Sequence, residues 1–594
     1  MSGFTTRPEI LGTFGVVTST HWLASATGMA ILEKGGNAFD AAVATGFALQ
    51  VVEPHLCGPA GETPILLSAA GSDAVKVICG QGTAPAAATI AAYRDQGLDL
   101  VPGSGLLSAV VPGAFDAWML LLRDYGTMRL ADVLEPAIAF AQAGYPVVPN
   151  VSNTIAEVSA LFRDEWPTSA AIYLKGGDVP APGSIFSNPD LAATYRRIID
   201  EAKGGDRVAE IEAARRVWSQ GFIAETIDRF CRETEAMDVS GERHRGLLSG
   251  TDMADWQATY EDPLTYDYHG YTVCKTGPWG QGPVCLQQLA LLKGFDLGGM
   301  SAQDPDFVHV VTECAKLAFA DREAFYGDPD FVTVPTDTLL GDAYNDARRK
   351  LVSDDASLEI RPGEIAGHGG KVVVREKGTT ESLGALGAGE PTVKRFDESE
   401  VRGDTVHFDI IDRHGNMVSA TPSGGWLQSS PVVEGLGFCL TSRAQMFWLE
   451  EGLPASLEPC KRPRTTLTPS LALRDGTPYM VFGTPGGDQQ DQWCLHLFLR
   501  HVHFGMNLQE SIDAPGFQTE HFPGSFYPRE CDLGHLALEG RFPDATRKEL
   551  EGRGHRVQID EDWALGRMTA AAKDGSMLKA GANPRFMQGY AIGR

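Results

Sequence analysis

Residues Gly403-Asp404-Thr405-Val406-His407-Phe408-Asp409-Ile410, continuing through Asp412-Arg413-His414-Gly415-Asn416 to Met417-Val418-Ser419-Ala420-Thr421, decide the reading of this chain. Val406, Phe408 and Ile410 alternate with His407 and Asp409, which is the period of a strand. Arg413 to Asn416 is turn chemistry, and Met417 to Thr421 returns as a second strand, so the run is a hairpin with Thr405 at its mouth.

A threonine hydroxyl is a poor nucleophile at neutral pH unless a base lies beside it. An α-amino group, with a pKa of roughly 7.7 to 8, is such a base. Cutting the peptide bond between Asp404 and Thr405 would place nucleophile and base on one residue. That needs a mobile segment ending in a threonine that opens a rigid strand, and residues 353 to 404 have this character. Gly-His-Gly-Gly at 367 to 370, Gly-Thr-Thr at 378 to 380 and Gly-Ala-Leu-Gly-Ala-Gly at 384 to 389 sit among charges, as in a flexible connector. By pattern alone, an ordinary interdomain linker and an ordinary β-branched strand residue account for the same letters.

Further on, Tyr479 to Gly483 reads as a buried strand and Thr484-Pro-Gly-Gly487 as a turn. Gln489 to His503 then reads as a helix with Cys494, Leu497, Phe498 and Val502 on one face. Bare backbone N–H groups in that turn, close to a helix N-terminus, suit a developing oxyanion. A strand-to-helix turn that needs positive φ has the same letters. The chain holds no G-x-S-x-G elbow, Walker loop or H-E-x-x-H, which removes the commoner hydrolase and nucleotide-binding motifs.

In the N-terminal part, Ser25 to Lys34 reads as a helix ending at Gly35-Gly36, and Asn37 caps a second helix with Asp40 at N3. Ala114 to Asp124 and Ala131 to Ala143 form a helical hairpin about Tyr125-Gly126-Thr127. Pro263 to Lys275 reads as two strands about Tyr268-His269-Gly270, followed by a helix from Val284 to Lys293. Strands and helices are therefore mixed throughout, with no internal repeat.

Apolar residues at 43% over 594 positions allow a large core. With 50 basic against 77 acidic side chains, the formal charge of −27 repels phosphate backbones and anionic headgroups, so neither nucleic acid nor membrane is expected as a partner. No apolar run approaches the roughly 20 residues of a membrane span, and the first residues lack the apolar stretch of a secretory signal. A cytoplasmic location is expected. Ten scattered cysteines without a C-x-x-C pair read as reduced core thiols. His501 and His503 read as surface or capping residues, so neither metal nor cofactor is expected.

Gly35-Gly-Asn-Ala-Phe-Asp-Ala-Ala-Val-Ala44, Val52-Glu-Pro-His55, Gly113, Tyr125-Gly-Thr-Met128, Lys316-Leu-Ala-Phe-Ala-Asp-Arg322, Gly327-Asp-Pro-Asp330, Gly403 to Phe408, Asp412 to Asn416, Lys461-Arg-Pro463 and Pro485-Gly-Gly487 occur in one order. Together they resemble the γ-glutamyltransferases over nearly the whole chain. The resemblance implies an α/β (α+β) fold, the four-layer αββα sandwich of N-terminal-nucleophile hydrolases. It implies a large fragment, residues 1–404, with 353–404 flexible, and a small fragment, residues 405–594, joined in one structural unit as an αβ heterodimer. Further oligomerisation is left open.

By matching position, Thr405 is the implied nucleophile, Ser423 stands where the family has a threonine that hydrogen-bonds it, and Gly486 and Gly487 match the oxyanion glycines. Thr465 and Thr466 occupy the place of paired serines that hold the substrate's α-carboxylate. Gln81 stands where the family has the arginine for that carboxylate, and Gly425 replaces an asparagine. Phe447 or Trp448 falls where an aspartate binds the substrate ammonium, and the short interval from Met446 to Lys461 implies that the family's lid loop is missing. The implied activity is amide hydrolysis or acyl transfer through an acyl-threonine, on γ-glutamyl or related small amides. Alternatives are a cephalosporin-acylase-like or oxamate-type amidohydrolase with a non-glutamyl acyl donor, and a non-catalytic relative acting as a binding protein.

Overall fold

A computed structural model of the chain describes residues 4–72, 74–377 and 405–594. Among them are two seven-stranded sheets, every pairing in both of which is antiparallel. The first runs in spatial order Tyr590–Gly593, Gly15–Ser19, Phe408–Asp412, Met417–Ala420, Thr63–Ser68, Val75–Gly80, Thr259–Glu261. The second runs Ile10–Gly12, Met577–Ala582, Thr569–Asp574, Thr477–Gly483, Ser470–Arg474, Tyr271–Lys275, Leu264–Tyr268. Each sheet interleaves strands from before and after residue 405, so neither part of the chain completes a sheet alone.

The faces of the sheets explain the layering. Val16, Leu66, Val77, Ile411 and Met417 of the first sheet share a dry core with Leu471, Val481, Ala571 and Ala580 of the second. Residues two apart in a strand share a face, so Val17, Ile65, Ile78, Phe408 and Ile410 point the other way. They pack there against helices Trp22–Glu33, Ala38–Val52, Ala114–Tyr125 and Leu130–Ala143. On the far side, Val273, Ala472, Met480 and Phe482 pack against helices Pro283–Leu292, Pro305–Phe325 and Gln490–Phe504. The result is the αββα order expected from the sequence.

Local signals carry much of this. Asn37 caps the helix from Ala38 with Oδ1 accepting from Phe39 N and Asp40 N, while Asp40 returns to Asn37 N, the expected capping box. Every residue of that helix is buried, and a helix hydrophobic all round belongs inside a layered fold. The hairpin expected at 406 to 421 pairs Phe408 with Ala420 and Ile411 with Met417. It differs in one respect: both its faces are buried, including His407 and Asp409, because this sheet lies between a helical layer and a second sheet.

Part of the expected connector lies inside the described residues. Ser357 N donates to both Glu313 carboxylate oxygens at 3.3 Å, Arg361 pairs with Glu313 at 3.1 Å, and Gly363 N donates to Asp321 at 2.7 Å. The stretch 353–377 is thus anchored to the helix Pro305–Phe325. The remainder, with the glycine run at 384 to 389 and the Asp404 side of the expected cut, lies outside the described residues.

Candidate active site

Thr405 is completely buried at the entrance to the strand Phe408–Asp412. Its neighbours fix the chain there: Val406 N donates to Pro422 O at 3.1 Å, and Thr20 N donates to His407 O at 3.2 Å. The Thr405 hydroxyl donates to the Ser423 hydroxyl at 3.2 Å. The expected pair is thereby brought together, because the hairpin returns the chain to its own mouth.

Beneath it lies a polar network that the sequence pattern did not reveal. His407 Nδ1 lies 2.8 Å from Thr421 Oγ1 and its Nε2 3.0 Å from Asp409 Oδ1, while Thr569 Oγ1 donates to Asp409 Oδ2 at 2.8 Å. Both ring nitrogens of His407 are thus engaged, Nε2 with the Asp409 carboxylate and Nδ1 with the Thr421 hydroxyl. Buried polar groups are costly unless matched, and here each is matched, so the network holds the strand under Thr405 in one register.

The turn after Tyr479–Gly483 meets the same region. Gly486 and Gly487 have φ of 129° and 55°, a conformation that side chains rarely adopt. A Cβ at Gly486 would lie 2.2 Å from the ring of Trp493. Gly487 opens the turn Gly487–Gln489 that leads into the helix Gln490–Phe504, so the glycine pair sits at a helix start. Arg567 joins the two halves: its N–H donates to Thr484 Oγ1 at 3.1 Å and its Nη2 to Thr405 O at 3.4 Å. No motif signalled this residue.

Gln281, also unsignalled, ties in the expected carboxylate site. Its backbone N–H donates to Thr465 O at 2.9 Å, and its Nε2 donates to Gly487 O at 3.4 Å and Asp488 O at 3.2 Å. Thr465 Oγ1 accepts from Leu467 N at 3.3 Å, whereas Thr466 Oγ1 is buried without a partner. Gln81 is buried, its Nε2 donating to Gly82 O at 3.0 Å and its Oε1 unmatched. Ala84 N donates to Lys461 O at 2.8 Å, which runs the Gln81 segment alongside the one leading to Thr465. Gly425, at φ 64°, packs on Ala60, Gly61 and Cys439, where an added Cβ would be within 3.1 to 3.2 Å of backbone.

Of the two residues at the expected ammonium position, Phe447 is core, packed with Ala84, Tyr93 and Leu107. Trp448 instead carries the guanidinium of Arg529 at 3.9 Å from its ring centroid. A cation therefore lies against one of the two residues expected at the ammonium position.

Electrostatics behind the site follow from burial. Glu53, in the Val52-Glu-Pro-His55 block, is pushed up to about 7 by desolvation, against hydrogen bonds from Thr20 at 2.6 Å and from Gln588 and the charge of Arg567. His55 is held well below its ordinary value by burial and by Arg567 and His21, so it is neutral.

His501 bonds Tyr479 Oη at 2.9 Å and Met506 O at 2.8 Å, and His503 bonds Tyr268 Oη at 2.8 Å, at the end of their helix. Among the described residues, Glu520, Asp532 and His535 come close enough together to suit a metal. Asp532 already pairs with Arg556 at 2.7 Å and Lys377 at 3.1 Å, which accounts for its position without an ion. All ten cysteines are free and nine are buried, but Cys460 is exposed at φ 60°. Its exposure departs from the expected core thiol, because it sits in the turn before Lys461 rather than on a packed face. No helix among the described residues is long and apolar enough to cross a membrane.

Two antiparallel sheets between helical layers, with a buried threonine at the mouth of a central strand, define an N-terminal-nucleophile hydrolase. The profile described as Gamma-glutamyltranspeptidase matches residues 24–593. The chain is similar to the "Glutathione hydrolase-like YwrD proenzyme" of Bacillus subtilis, at 32% identity over 98% of this chain and 99% of that one. It superposes on the solved "Structure of LmbA2991HD" with a TM-score of 0.93 at 55% identity, covering 100% of both chains. The "Crystal structure of cephalosporin acylase from Bacillus halodurans" gives a TM-score of 0.82 at 27% identity over 100% of this chain and 98% of that one. The chain belongs to the gamma-glutamyltranspeptidase family of amide hydrolases and acyltransferases.

Proposed function

We propose that the protein is cut before Thr405 into fragments 1–404 and 405–594, and that the new terminus cleaves small amides through an acyl-Thr405 intermediate. The observation that carries this is the Thr405–Ser423 hydroxyl contact at 3.2 Å, held beside the Gly486–Gly487 turn by Arg567. Chain cleavage is supported by a 32% identical relative named as a proenzyme.

In this reading the freed α-amine takes the proton of the Thr405 hydroxyl as its oxygen attacks the donor's amide carbon. The tetrahedral oxyanion is met by the N–H groups of Gly486 and Gly487, and Ser423 holds the hydroxyl on its attack line. The leaving amine departs with the proton from the α-amine, leaving an ester on Thr405. Water or an acceptor amine attacks that ester, loses its proton to the same α-amine and restores the threonine. Thr465, Thr466, Gln81 and Gly425 line the donor side.

The donor is a γ-glutamyl or related amide. A non-glutamyl donor is the second reading, favoured by Gln81 in place of an arginine and by the Arg529–Trp448 stack in place of an acid. A reducing, cytoplasmic setting belongs to the same proposal, supported by ten free cysteines. A denaturing gel with N-terminal sequencing tests the core of it. Two bands are expected, the smaller beginning Thr-Val-His-Phe; a single full-length band in active preparations overturns it.

A further inference from the structure

Arg322 lies on the helix Pro305–Phe325 and Gln281 just before the helix Pro283–Leu292, both ahead of residue 405, whereas Gly486, Gly487 and Asp488 come after it. The two parts of the chain meet under the glycine turn. Arg322 has no exposure, and every nitrogen of its guanidinium is engaged. Nη1 donates to Gln281 Oε1 at 2.8 Å and to Asp488 Oδ1, Nη2 to Pro523 O at 2.8 Å, and Nε to Glu323 Oε1 at 3.1 Å. A planar fork with fixed donor directions leaves its partners one arrangement.

Each partner passes that arrangement to the turn. With Oε1 taken by Arg322, the Gln281 amide presents Nε2 to the other side, where it donates to Asp488 O at 3.2 Å and Gly487 O at 3.4 Å. The Asp488 carboxylate is also held by Ser525, whose N donates to Oδ2 at 2.9 Å and whose Oγ donates to Oδ1 at 2.6 Å. Burial pushes this carboxyl up, but Arg322 and Ser525 outweigh burial and hold it below its ordinary value, so it is charged.

The turn needs such support. Glycine accepts either sign of φ, so the pair itself does not stop its peptide planes from flipping. Gln489 N donates to Gly486 O at 3.0 Å. Because a peptide is planar and trans, the Gly487 N–H of that same plane points the opposite way. The next plane carries Gly487 O, which is held by Gln490 N from within the helix and by Gln281 from the other part of the chain.

We propose that Arg322, acting through Gln281 and Asp488, is a positioning residue that holds the Gly486–Gly487 turn in place for the transition state at Thr405. The inference rests on Thr405 as the attacking residue. It gives the large fragment a share in the chemistry, although nucleophile and turn both lie on the small one.

The test compares processed wild type with three variants. Asp488→Asn keeps the shape but drops the charge, Gln281→Glu keeps the acceptor for Arg322 but loses the donor to the turn, and Arg322→Lys keeps the charge without the fork. Each is assayed on γ-glutamyl- and glutaryl-p-nitroanilide, titrated by calorimetry with glutamate and glutarate, and followed by amide hydrogen exchange of residues 484 to 490. On whichever donor wild type cleaves, kcat should fall by about 100-fold, the cost of displacing a catalytic group by about 1 Å. KM, and the affinity and stoichiometry of the matching acid, should stay within about threefold. Exchange in the turn should quicken by about tenfold.

Unchanged kcat in Asp488→Asn and Gln281→Glu overturns the proposal and leaves the Thr405 reading intact. A fall in binding stoichiometry that matches the fall in kcat also overturns it, because fewer sites are then folded, as does loss of the native fold in all three variants. A folded variant that stays uncleaved places the residues in self-cleavage instead of turnover. If wild type cleaves neither donor while exchange in the turn still depends on Asp488, the Thr405 reading fails and the clamp stands.

Discussion

A Cβ built on Gly483 would stand 2.2 Å from Cε1 of His407, so the imidazole lies directly against the backbone of the strand that delivers the glycine turn. His407 is two residues beyond Thr405 and Gly483 three before Gly486. One contact between the two sheets therefore sets the spacing between hydroxyl and turn.

Gly483→Ala should break that spacing. The methyl group has no space unless the sheets part, an overpacking that costs on the order of 1–3 kcal/mol. We expect lower unfolding stability by urea denaturation and slower appearance of the two fragments on a denaturing gel. Processing at the wild-type rate with unchanged stability would contradict the contact.

Thr405→Ala should give a folded, full-length and inactive chain, since it removes the oxygen needed both for self-cleavage and for turnover. Ser423→Ala removes only the partner of that oxygen. It should slow both steps by roughly 10- to 100-fold, a contribution in the range of one charge-assisted or positioning hydrogen bond. Time courses of fragment formation and of amide release check this, and an unimpaired Ser423→Ala enzyme removes Ser423 from the site.

Gly486→Ala meets two obstacles, the φ of 129° and the Trp493 ring 2.2 Å from the new carbon. Displacing the turn should withdraw its N–H from the oxyanion, and loss of one such donor costs about 3 kcal/mol, or on the order of 100-fold in kcat. KM should change far less than kcat. A variant that loses only KM would place Gly486 in ground-state binding instead.

Glu53 supplies a test by pH. Its carboxyl is raised by burial from 4.5 to about 7, so between those values the folded protein holds a proton that the unfolded chain has released. The associated stability is fully present below about 4.5 and is lost as pH rises through about 7. Glu53→Gln, which does not titrate, should gain stability relative to wild type across that window, by on the order of 2–3 kcal/mol. Urea unfolding of both proteins at pH 5 and pH 8 reads the difference, and a gap that stays constant with pH refutes the assignment.

Where the argument needed only neighbours in the chain, the sequence was enough. The Asn37–Asp40 box, the hairpin after Thr405 and the strand, turn and helix from Tyr479 to Phe504 all follow from period, capping and turn residues. Ordered blocks across the chain carried the family and the layered fold. What stood outside local pattern was the meaning of single polar letters. His407 and Asp409 read only as the polar alternates of a strand, yet they form a buried network, because burial on both faces depends on what packs above and below.

The sequence by itself determined a threonine opening a strand, a glycine pair opening a helix, and the family to which both belong, since these are written in contiguous residues and their order. Only the tertiary structure decided that Arg567 bridges that threonine to that turn and that Glu62 and Arg443, 381 positions apart, meet beside Ser423. Ion pairs and shared donors between distant segments leave no periodic trace; they exist only once the sheets are stacked and water has been driven out.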